Sequence, residues 1–96
     1  MNAESQIFEV YTLISSLVRA MVSNPDDIQV SSMLSPTGST IIQIRAVREQ
    51  DIGKLIGQQG RTARSLRIIV QAIAKEQGQR YQLDIDETTI DGTIGP

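Results

Sequence analysis

At 96 residues the chain has room for one domain and one modest core. Its 40% hydrophobic and 21% charged residues suit a folded globular protein, and the absence of both cysteine and histidine removes thiolate chemistry, disulfides, Cys/His zinc sites and imidazole bases. The formal net charge of -2 weighs against a polyanionic ligand, but its distribution does not. From Lys54 to Arg67 the chain carries Lys54, Arg61, Arg64 and Arg67 with no acid, while the remaining residues set five cations against all eleven acids.

Ile7, Val10, Tyr11, Ile14, Leu17, Val18 and Met21 recur at three- and four-residue spacing, which predicts a helix over 5–23. Ser5 suits its N-cap, and Asn24-Pro25 stops it because the residue before a proline is pushed out of the helical region. Phe8 and Leu13 widen the apolar stripe, toward a broad core contact or a partner. Ile28, Val30 and Leu34 alternate with polar neighbours, predicting a half-buried strand over 27–34. Pro36-Thr37-Gly38-Ser39 supplies a turn, and the β-branched run that follows predicts a second, antiparallel strand over 40–47.

The stretch 50–77 reads as two helices interrupted by Gly57-Gln58-Gln59-Gly60. Glu49 and Asp51 favour the N-terminus of the first, and Ile52, Leu55 and Ile56 form its apolar face. Ala63, Leu66, Ile69, Val70, Ile73 and Ala74 make the buried stripe of the second, which Gly78 ends. Ile68 falls off that stripe and is expected to be exposed or covered by a second molecule. Tyr81, Leu83 and Ile85 alternate with Gln82, Asp84 and Asp86 in a last strand over 81–86, and 88–96 reads as a flexible polar tail. The order helix, strand, strand, helix, helix, strand defines an α+β domain over 1–87, with helices on one face of a three-stranded sheet.

A glycine-bounded turn leading into a helix suits phosphate. Glycine leaves no Cβ to hold a sugar-phosphate chain away, and the first free N–H groups of the helix favour an anion. Here the turn lies inside the acid-free segment, with Lys54 and Arg61 flanking it and Arg64 and Arg67 following along the helix. The same features also fit a DNA-binding helix-turn-helix or a glycine-capped protein-interaction fold. The carboxylates Asp84, Asp86 and Asp91 make no recognisable metal-binding loop, so no metal, cofactor, catalytic residue or small-molecule substrate is expected.

The run Ile52-Gly53-Lys54-Leu55-Ile56-Gly57-Gln58-Gln59-Gly60-Arg61-Thr62-Ala63-Arg64-Ser65-Leu66-Arg67 resembles the signature of KH domains, most closely the small bacterial single-KH proteins of the KhpA type. That resemblance implies the type II α-β-β-α-α-β arrangement and a GxxG loop that clamps the backbone of about four single-stranded RNA nucleotides. It implies RNA contacts from Lys54, Ile56, Gly57, Gln58, Gln59, Gly60, Arg61, Arg64 and Arg67, with Ile44 as a weaker groove candidate. Many KH loops carry a Lys or Arg between the glycines, whereas two glutamines stand here, so the clamp itself attracts phosphate less strongly. No aromatic residue lies in the loop segment to stack a base. The implied role is post-transcriptional regulation or RNA chaperoning in the cytoplasm, with homodimerisation or pairing with a second KH-containing protein. No membrane partner is expected, because the N-terminus lacks a leader pattern and no apolar stretch approaches about 18 residues. An adaptor with the KH shape and little RNA affinity, or a DNA-binding protein, are the alternatives.

Overall fold

A computed structural model describes residues 3–87. Helix α1 spans Ala3–Met21, strands β1 and β2 span Ile28–Leu34 and Thr40–Ala46, helices α2 and α3 span Glu49–Ile56 and Arg61–Gln77, and strand β3 spans Tyr81–Ile85. The sheet order is β1-β2-β3, with β1 antiparallel and β3 parallel to the central strand. The α2–α3 pair is therefore the crossover that a parallel connection requires.

Period-two alternation sends Ile28, Val30, Ile42, Ile44, Ala46, Tyr81, Leu83 and Ile85 to one face, where they meet Val10, Ile14 and Val18 of α1, Ile52 and Leu55 of α2, and Ala63, Leu66, Val70 and Ala74 of α3. The other face carries the Arg45–Asp86 ion pair and the Gln43–Asp84 hydrogen bond. Below the helices the Tyr81 hydroxyl donates to Gln77 Oε1 at 2.5 Å, and burial, with Glu9 adding to it, holds that phenol above its usual pKa.

Three expectations change. Helix α1 ends at Met21, and a 3-10 turn over Pro25–Asp27 precedes β1. The cause is Asp51: fully buried in the first turn of α2, its Oδ1 accepts the Ser23 N–H at 3.1 Å and its Oδ2 the Asn24 side-chain amide at 3.0 Å, so the chain leaves the helix to reach it. Leu34 is 75% exposed rather than buried, because β1 runs on past the part of the sheet that the helices cover. Phe8 and Leu13 stand in solvent and Ile69 is also exposed, so the stripes on α1 and α3 are narrower than their apolar residues suggest; Ile68 is exposed as expected. The tail 88–96 lies outside the described residues.

Both edges of the sheet are fastened to the helices above them. The Tyr11 hydroxyl and Arg19 Nη2 of α1 donate to the β1 carbonyls of Val30 and Ile28 at 2.8 and 3.1 Å. On the opposite edge, Gln71 Nε2 and Arg67 Nε of α3 donate to the β3 carbonyls of Tyr81 and Leu83 at 2.7 and 3.3 Å. Outward-facing strand carbonyls would otherwise be open to water or to a foreign strand.

Candidate nucleic-acid interface

The two glycines of the turn are required for different reasons. Gly57 closes α2 by donating to the Gly53 carbonyl at 2.8 Å, and then turns to φ 77°, ψ 173°. A Cβ there would sit 2.2 Å from Thr62 Oγ1 and 2.9 Å from the Thr62 backbone nitrogen, so this glycine is required by the packing of the turn against the start of α3. Gln59 and Gly60 follow in left-handed conformation, at φ 56° and φ 72°. Nothing lies within 4 Å of where a Gly60 Cβ would be, so this position faces outward with bare backbone. Together they bend the chain through a 3-10 turn over Gln58–Gly60 directly into the first turn of α3, whose N-terminus has no side-chain cap. Uncapped amides at the start of a 17-residue helix are anion donors.

The four cations of the acid-free segment separate into different settings. Arg61 lies beside the turn, and its Nη2 donates to Gln59 Oε1 at 3.0 Å. This holds the one glutamine and leaves Gln58 exposed without a described side-chain partner. Arg64 is exposed and has no described hydrogen-bond or ion-pair partner. Lys54 turns the other way, its Nζ against Ser23 Oγ at the end of α1. Arg67 bends down to the β3 edge. Ile56 is partly buried against the core beneath the turn, whereas Ile44 is 0% exposed and cannot touch a ligand. The sequence reading missed Thr62, which makes Gly57 obligatory, and Gln71, which shares a cleft of about 490 Å³ with Ile41, Arg67, Gln82, Leu83 and Asp84. Neither carries a signal that periodicity or motif spacing could have raised.

A three-stranded mixed sheet with β3 parallel to β2, crossed by two helices with an open glycine turn between them, defines a KH domain. The family model described as the KhpA/KhpB KH domain matches residues 11–85, and the chain belongs to that family. It is 42% identical over 74 residues to RNA-binding protein KhpA of Halalkalibacterium halodurans, covering 77% of this chain and 95% of that one. RNA-binding protein KhpA of Streptomyces coelicolor is 45% identical over 74 residues, covering 76% and 90%. A crystal structure of Aquifex aeolicus Era bound to GDP and AlF4- superposes with a TM-score of 0.52 at 15% identity, over 79% of this chain and 29% of that one, a likeness of fold.

Proposed function

We propose that this chain binds single-stranded RNA, with the sugar-phosphate backbone crossing the turn at Gly60 and the bases directed along α3 toward the β3 edge. The observation that carries the reading is the outward-facing, left-handed backbone at Gly60 with open space where a side chain would be, set beside the partnerless Arg64 and the uncapped start of α3. Backbone can approach backbone there, and the first-turn amides with Arg61 and Arg64 supply the positive field. The residues proposed to contact RNA are Gln58, Gln59, Gly60, Arg61 and Arg64 at the turn and Arg67 along the cleft. Gly57 shapes the turn, Ile56 supports it, and Lys54 contributes at longer range. The relatives' name as RNA-binding proteins supports the same reading.

The role is binding rather than catalysis, in a cytoplasmic regulator or RNA chaperone that works as a homodimer or with a second KH-containing chain. No described helix is long and apolar enough to cross a membrane. The test is the double variant Gln58→Asp, Gln59→Asp. Aspartate tolerates the left-handed conformation at 59, so the fold stands while two negative charges meet the phosphates. RNA affinity is expected to fall below detection by fluorescence anisotropy. Unchanged affinity rejects the clamp, and equal competition by duplex DNA rejects single-stranded RNA as the ligand.

A further inference from the structure

The β3 edge has a hydrogen-bonding character that its own sequence does not reveal. Thr40 N–H donates to the Arg80 carbonyl and Asp86 N–H to the Ile44 carbonyl, which fixes the parallel ladder so that residues 82 and 84 bond inward to β2. The backbone groups of Tyr81 and Leu83 therefore point outward from the sheet, and Leu83 lines the cleft that Arg67 and Gln71 of α3 share with it. An open strand edge offers both donors and acceptors. Here Arg67 covers the Leu83 carbonyl, leaving the Leu83 N–H beside a guanidinium with further N–H groups to give. Asp84 also lines the cleft, but strand alternation sends its side chain to the face opposite Leu83, where Oδ2 accepts from Gln43. Gln71 bonds the Tyr81 carbonyl through Nε2 and so keeps Oε1 as an acceptor, which confines the donor-only character to the Arg67–Leu83 position.

Resting on the RNA-binding reading, we infer that Arg67 is a specificity-determining residue that makes this position of the cleft select guanine over adenine. Guanine presents two adjacent acceptors, O6 and N7, which match the fork of an arginine. Adenine places the N6 amine where O6 would be, against donors and with the nearby carbonyl already covered. Arg67 thus differs in kind from Arg61 and Arg64, which face phosphate.

The test measures binding of short oligouridylates carrying one central guanosine, inosine or adenosine. Inosine keeps O6 and N7 but lacks the 2-amino group. Guanosine and inosine are expected to bind alike and on the order of tenfold tighter than adenosine, the discrimination of one two-bond contact. Arg67→Lys, which keeps the charge and loses the planar fork, is expected to bring guanosine binding down toward the adenosine level and leave adenosine binding little changed. Arg67→Ala also uncovers the Leu83 carbonyl and is expected to move the preference toward adenosine. Equal binding of guanosine and adenosine by the parent, or a preference that survives both variants, overturns the inference. Failure of every oligonucleotide to bind overturns the RNA-binding reading itself, and this inference with it.

Discussion

Replacing Gly57 and Gly60 separately by alanine distinguishes a glycine required by the fold from one required by the ligand. At Gly60 the added methyl meets nothing within 4 Å, so the cost is that of an L-residue held left-handed, about 1 kcal/mol. At Gly57 the backbone lies at φ 77°, ψ 173°, a region nearly confined to glycine that costs about 1–3 kcal/mol for other residues. The methyl also lands 2.7 Å from Thr62 Cβ and 2.9 Å from its backbone nitrogen. Rotating the threonine moves Oγ1 but neither of those atoms, so the backbone must shift, and the total reaches about 3 kcal/mol or more. At about 4–8 °C per kcal/mol for a domain of this size, Gly60→Ala should lower Tm by about 4–8 °C and Gly57→Ala by at least about 12 °C. Thermal unfolding followed by circular dichroism reads that difference, and RNA titration at a temperature where both variants are folded reads the other. Gly60→Ala should lose most of its RNA affinity, because its methyl would stand on the path proposed for the sugar-phosphate chain. Thr62→Ala in the Gly57→Ala background should restore only part of the lost Tm. A Gly60→Ala variant that binds like the parent, or that unfolds below Gly57→Ala, refutes the division of roles.

Asp51→Ala removes two charge-assisted hydrogen bonds that join the end of α1 to α2, at a cost of about 3 kcal/mol; Asp51→Asn keeps one acceptor and should cost about half as much by the same unfolding measurement, equal losses contradicting the account. Arg64→Ala should weaken RNA binding and reduce the slope of log affinity against log salt by about 0.7, the value for one phosphate contact on a single strand, while an unchanged slope would remove Arg64 from the phosphate path.

The helical stripes, the strand alternation and the glycine turn could all be read from the chain because each is a local pattern: Val10, Ile14 and Val18 repeat at the helical period whatever surrounds them. What escaped depends on distances between elements. Leu34 continues the alternation of β1, yet its burial turns on how far the helices reach over the sheet. Asp51 suits a helix N-terminus by charge, but its burial needs the Ser23 corner to arrive beside it. The site divides in the same way. Gln58 and Arg64 stay exposed beside the turn, as a local pattern alone would leave them, whereas Lys54 and Arg67 bend toward partners after α1 and on β3 that sequence separation conceals.

The fastening of both sheet edges bears on how the domain opens. Amide exchange in a small sheet normally begins at the outer strands, which fray while the centre holds. Here β1 cannot lift without breaking bonds to Tyr11 and Arg19, nor β3 without releasing Arg67 and Gln71. Each border strand is thereby joined to a long helix in a single opening unit, and the first stretch to breathe becomes the overhang 31–34, where the stitching stops.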